Sequence, residues 1–193
     1  MTEVILFHHA QGLTPGCLSF ADRIRAGGHV VHTPDLYEGR TFSKLPDGVA
    51  YAEGVGFETI GARGREAAED LPRSLVYAGF SLGVLPAQML AQTRPGAKGA
   101  LLFHSCIPAS EFGGPWPSSV PVQIHMMDGD EWVLPPNEDL AAARRLEETV
   151  EAAELFLYPG DQHLFADESL PDYDPDAADL LMARVLTFLQ NID

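Results

Sequence analysis

Leu75-Val76-Tyr77-Ala78-Gly79-Phe80-Ser81-Leu82-Gly83 is the stretch whose reading decides the fold. Leu75–Ala78 is a continuously apolar run, as a strand covered on both faces should be. The next five residues form a G-x-S-x-G pattern, and a helical pattern follows Ser81 to about Thr93. A serine between strand and helix must sit on a sharp turn with strained backbone angles for its hydroxyl to project clear of the sheet. Bulky neighbours would clash in so tight a turn, which explains glycine on either side. The same turn aims the Leu82 N–H, at the helix start, toward a developing oxyanion.

Similar alternation runs outward in both directions. The further strands predicted are Val4–His8, His29–Thr33, Gly99–Phe103, Val120–Met126 and Ala153–Tyr158. Thr14 and Pro15 open a helix that carries Phe20 and Ile24 on one face and closes at Gly27-Gly28. Further helices are predicted over about Ala50–Asp70, Asn137–Thr149 and from Asp174-Pro175 onward. Pro86 stands awkwardly in the helix after Ser81 unless it lies near the first turn. Strands alternating with helices predict an α/β fold with a doubly wound, mostly parallel sheet of about six strands, in one domain over residues 1–193. Ligands of such sheets sit outside the carboxyl ends of the strands. Leu36–Val55 reads as a long connection, either a functional loop or a solvated one.

Serine hydroxyls are weak nucleophiles and need an adjacent base. In this fold the order is Ser, then Asp or Glu, then His. His163 follows the last predicted strand in Pro159-Gly160-Asp161-Gln162-His163 and fits the base. Met126-Met127-Asp128-Gly129-Asp130-Glu131 offers the acid. Asp128 and Asp130 are the rivals, Asp128 having the alternative of building a turn with Gly129. His8 and His9 precede Ser81, and adjacent strand residues point to opposite faces, so at most one of them reaches a site.

Composition narrows the remaining classes. The chain has 193 residues, and 12 Lys+Arg against 28 Asp+Glu give a formal net charge of −16. Such a surface repels phosphate backbones and anionic lipid, so neither nucleic acid nor a membrane surface is an expected partner. Two cysteines make no disulfide framework, and no secretory leader or membrane span is read, which points to the cytoplasm. Seven histidines raise the possibility of a metal-dependent hydrolase, yet no H-E-x-x-H or H-x-H spacing occurs, so no metal or cofactor is expected. Cys106 also follows a strand but lacks a glycine-flanked turn.

Four motifs, in order, resemble the dienelactone hydrolase family of α/β-hydrolases: Pro34-Asp35-Leu36-Tyr37-Glu38-Gly39-Arg40, Gly79–Gly83, Asp130-Glu131-Trp132-Val133-Leu134-Pro135 and His163-Leu164-Phe165. The likeness spans nearly the whole chain. It implies a Ser81-His163-Asp130 triad, favouring Asp130 over Asp128, and a second oxyanion N–H from Ala10 beside that of Leu82. It implies strand order 2-1-3-4-5-6 without the family's leading strands. His9, Gln11, Tyr37, His104, Trp132 and Phe165 are the candidate pocket residues. The chain departs from the family's best-known members in three places. Ser81 replaces a cysteine nucleophile, His9 stands where an acidic residue modulates the thiol, and Asp167 stands near where an arginine holds the substrate carboxylate. The expected activity is hydrolysis of a small ester, lactone or thioester through an acyl-enzyme. The alternative is a non-catalytic small-molecule binder on the same fold. The oligomeric state is not legible.

Overall fold

Apolar β-prone runs separated by amphipathic helices leave little choice but a covered parallel sheet, and the computed structural model, which describes residues 1–192, has one. Its strands are β1 (Glu3–Phe7), β2 (Val30–His32), β3 (Val76–Phe80), β4 (Gly99–Phe103), β5 (Val122–Met127) and β6 (Ala153–Tyr158). They lie in the order β2-β1-β3-β4-β5-β6, and every neighbouring pair is parallel. Every residue of β3, β4 and β5 is buried, which is why β3 and β4 read as unbroken apolar runs, while β5 carries Gln123 and His125 inside.

Alternate residues of each strand face opposite layers. Val4 and Leu6 pack with Phe20 and Ile24 of α1 (Pro15–Ala26) and with Leu181 and Val185 of α6 (Pro175–Asn191). On the other face Ile5 and Phe7 join the buried sides of α3 (Phe57–Glu69), α4 (Val84–Thr93) and α5 (Asp139–Thr149). Thr14 and Asp174 cap α1 and α6, accepting from the N–H groups of Cys17 and Ala177, and proline opens both helices. Pro86 is the third residue of α4, in the first turn, where no intrahelical N–H partner is lost.

The structure corrects two expectations in the 36–70 region. Leu36–Val55 is not one long connection, because its second half is α2 (Leu45–Val55). The single helix expected over Ala50–Asp70 is two, divided at Gly56, whose φ of 91° breaks the backbone between α2 and α3. Within α2 only Gly48 and Ala52 are buried, so no stripe of large apolar residues marks it in the sequence. No helix among the described residues is long and apolar enough to cross a membrane.

The winding reverses between β1 and β3, the kind of place where doubly wound sheets bind ligands at the carboxyl ends of their strands. Ala10 follows β1, Ser81 follows β3, Asp130 follows β5 and His163 follows β6. One edge of the sheet thus gathers residues scattered over more than 150 positions of the chain.

Candidate active site

Ser81 begins a 3-10 turn directly after β3, with φ at 47°, in the left-handed region that side chains other than glycine avoid. Holding a serine there costs on the order of 1–3 kcal/mol, and the surrounding turn must enforce it. Close approach does so. A Cβ on Gly79 would lie 2.1 Å from the Gly83 carbonyl oxygen, and one on Gly83 would lie 2.4 Å from that of Phe7. Both glycines are therefore required by backbone packed against backbone.

The Ser81 Oγ lies 2.8 Å from His163 Nε2, and His163 Nδ1 lies 2.6 Å from Asp130 Oδ2. A carboxylate only accepts, so Nδ1–H donates to Asp130 and Nε2 is left to accept the serine proton. Asp130 is buried, and its other oxygen accepts the Trp132 N–H at 2.8 Å. The indole of Trp132 lies against His163, with ring centroids 5.7 Å apart. Asp128 is exposed and does not reach His163. It accepts the Gly160 N–H at 3.2 Å, tying the β5 turn to the β6 turn. The His163 loop is anchored by buried Leu164 and Phe165, and the Phe165 carbonyl accepts the Asp174 N–H at 3.0 Å.

The two N–H groups expected to face an oxyanion, those of Leu82 and Ala10, donate no hydrogen bond among the described residues. Leu82 is the second residue of its 3-10 turn, where N–H groups have no intrahelical partner. The Ala10 loop is held by Gln11, whose carbonyl accepts the Phe42 N–H at 2.9 Å and whose side-chain amide donates to the Phe42 carbonyl at 3.0 Å.

A hollow of about 330 Å³ opens over the serine, lined by Phe57, Ser81, Leu82, Leu85, Ser105 and Ile107. None of the six pocket candidates named from the sequence lines it. Trp132 lies beside the His163 imidazole. Tyr37 is buried and donates its hydroxyl to the Gly48 carbonyl at 3.2 Å. His104, with φ at 64°, is buried between Phe80 and Phe165, and burial holds its imidazole neutral, well below its usual range. Phe165 and Gln11 are buried as anchors of their loops. Phe57, Leu85, Ser105 and Ile107 come from α3, α4 and the loop after β4, and no motif marks them. Wider hollows open elsewhere, one of about 700 Å³ between α3 and α4, away from Ser81.

His8 and His9 point to opposite faces, and neither lines the hollow. His8 Nε2 accepts the Leu36 N–H at 2.9 Å while Nδ1–H donates to the His9 carbonyl at 2.7 Å; burial lowers its pKa to about 4. His9 Nε2 lies 2.8 Å from Asp167 Oδ2. Asp167 also accepts from the Thr14 hydroxyl, the Ser169 N–H at 2.9 Å and the Ser169 hydroxyl at 2.6 Å. The charge of Asp167, near the family's arginine position, is thus turned inward and engaged by these partners.

Burial opposes charge on His9, but Cys17 and Asp167 outweigh it and raise the imidazole to about 9. The Gln11 N–H, aimed at Nδ1 at 3.2 Å, favours the neutral ring. A full carboxylate charge at shorter range is the stronger influence. The hydrogen bonds to Asp167 hold that carboxyl down at about 2 against the pull of burial. His9, Cys17 and Asp167 have donor atoms within 4.8 Å of one another, a grouping of metal-ligand types that these hydrogen bonds already account for. Cys106 is buried, and burial with the nearby Asp139 pushes its thiol well above the usual range, so it stays un-ionised.

Among solved structures, the chain is similar to the dienelactone hydrolase from Anabaena variabilis, at 16% identity over 98% of this chain and 86% of that one, with a TM-score of 0.68. It is similar to a dienelactone hydrolase-like promiscuous phosphotriesterase from metagenomic libraries, at 17% identity over 100% and 87%, with a TM-score of 0.72. It is also similar to a cold-adapted esterase from an Arctic intertidal metagenomic library, at 15% identity over 98% and 82%, with a TM-score of 0.61. At such identities these likenesses speak to the fold. No curated protein matches the chain. The model of the dienelactone hydrolase family matches residues 1–193, the whole chain. The chain belongs to the dienelactone hydrolase family and is a hydrolase.

Proposed function

We propose that the protein is a serine hydrolase that opens a small ester, lactone or thioester through an acyl-enzyme on Ser81. The observation that carries this is the continuous relay from Ser81 Oγ to His163 (2.8 Å) and from His163 to Asp130 (2.6 Å) at a strained strand-to-helix turn. His163 Nε2 takes the hydroxyl proton as Oγ bonds to the carbonyl carbon, and Asp130 steadies the imidazolium. The Leu82 and Ala10 N–H groups receive the oxyanion. The intermediate collapses, His163 gives its proton to the leaving oxygen or sulfur, and the acyl group stays on Ser81. Water, deprotonated by the same imidazole, then attacks the acyl-enzyme and frees the acid. Every group the reaction needs comes from the chain itself, as one α/β-hydrolase domain with a small molecule as its partner. The two free, buried cysteines suit a reducing compartment, and we take the cytoplasm as its place of action.

A fluorophosphonate probe tests the reading. Intact protein is expected to label at Ser81, and Ser81→Ala is expected to remain unlabelled. Wild-type protein that stays unlabelled while a control hydrolase labels would remove the active serine.

A further inference from the structure

The hollow over Ser81 has a composition that selects a substrate class. Phe57, Leu82, Leu85 and Ile107 supply apolar wall, and the only polar side chains are Ser81 and Ser105. Ser105 is not free to bind a ligand as a donor, because its hydroxyl donates to Asp139 Oδ1 at 2.5 Å. Asp139 also accepts the Cys106 N–H at 3.2 Å, so a carboxylate stands directly behind the pocket wall. Among the described residues no lysine or arginine lines the hollow. The one carboxylate near the family's arginine position, Asp167, faces away into its own network. The whole chain adds a net charge of −16.

From this we infer that the group bound over Ser81 is a short, uncharged, apolar acyl chain, and that acyl groups carrying a carboxylate are excluded. The inference rests on the serine-hydrolase reading above and adds the substrate class to it. An anionic acyl group would leave water for an apolar wall with no cation to receive it, and it would face Asp139 through Ser105. An uncharged chain loses nothing by the same transfer and gains from the apolar surface it covers. A volume of about 330 Å³ lies at the small end of the range for ligand pockets, which suits a short chain. Phe57 sets the rim. It is the first residue of α3, directly after the break at Gly56, and is 48% exposed, so it can be changed without disturbing the core.

The test compares p-nitrophenyl hexanoate with the mono-p-nitrophenyl ester of adipic acid, with Ser81→Ala as the blank. The two acyl groups differ only in a methyl or a carboxylate at the far end. We expect kcat/KM at least about 100-fold higher for the hexanoate. Phe57→Arg should narrow that ratio about tenfold by placing a cation at the rim. An alkyl fluorophosphonate and its carboxylate-ended analogue should label Ser81 of the wild type with the same preference, independently of turnover. Equal rates for the charged and uncharged members, with Ser81 still labelling, would overturn the inference and leave the serine-hydrolase reading standing. Failure of both probes to label Ser81, with no turnover of either ester, would remove the reading and the inference together.

Discussion

Two buried histidine–carboxylate pairs lie at the same edge of the sheet, and only one has a serine hydroxyl at its second ring nitrogen. His163 and Asp130 are 2.6 Å apart, and His9 and Asp167 are 2.8 Å apart. All four residues are buried. The difference is what stands at the second ring nitrogen. For His163 it is the Ser81 hydroxyl at 2.8 Å, on the floor of an open hollow. For His9 it is the Gln11 backbone N–H at 3.2 Å, which cannot give up its proton. Their carboxylates differ as well. Asp130 holds one imidazole and one backbone N–H, whereas Asp167 gathers His9, Thr14 and Ser169, joining the start of α1 to the loop that follows His163. An imidazole–carboxylate pair is thus a common structural unit, and the neighbour of its free nitrogen decides whether it moves protons or pins loops.

Substitutions at the two carboxylates should separate those roles. Asp130→Asn keeps the shape but removes the charge that steadies the imidazolium and favours the wrong tautomer. It should lower kcat about 10⁴-fold with little change in melting temperature, read by ester hydrolysis and calorimetry. Asp167→Ala should act in the opposite sense. It strips partners from His9, Thr14 and Ser169 and should cost about 3–5 kcal/mol of stability, read by urea unfolding, with a much smaller loss of rate per folded molecule. Equal effects of the two on kcat would erase the distinction.

pH sharpens the comparison from the stability side. His8 and His125 are held neutral by burial, with pKa values lowered to about 4 and about 3. The unfolded chain takes up these protons from about pH 6.5 downward, so stability should fall as pH drops below 6.5. His8 alone accounts for about 3 kcal/mol by pH 4. The His9–Asp167 pair works the other way at high pH. His9 is raised to about 9, so its contribution is full below about 6.5 and fades as pH rises through 9. Unfolding curves across pH 4–10 should therefore show greatest stability near 6.5. Asp167→Ala should shrink the alkaline limb, leaving the share due to Cys17, and keep the acid one. The smallest effect expected is that of Asp128→Ala, which removes only the bond to the Gly160 N–H. It should cost about 1 kcal/mol and change kcat/KM less than threefold.

Much of this arrangement was legible in the chain. Gly79 and Gly83 announce a turn in which backbone meets backbone, and the strands flanking it are continuous apolar runs because helices cover both faces. The break at Gly56 and the start of α2 at Leu45-Pro46 were not legible, since α2 buries only small residues and shows no stripe. The pairing of His9 with Asp167 joins positions 158 apart, and nothing local in either segment specifies it. The hollow over Ser81 was missed for the same reason. Phe57, Leu85, Ser105 and Ile107 meet only once three separate elements pack, while Tyr37, His104 and Phe165 are drawn beneath the surface as supports.

The most direct measurement is where the acyl group goes. Wild-type protein mixed with a p-nitrophenyl ester, quenched in acid within a turnover and digested, should carry the acyl mass on the peptide containing Ser81. The Ser81→Ala protein should show neither that mass nor turnover. Turnover that survives in Ser81→Ala, or an acyl group found on Cys17 or Cys106 instead, would contradict the account.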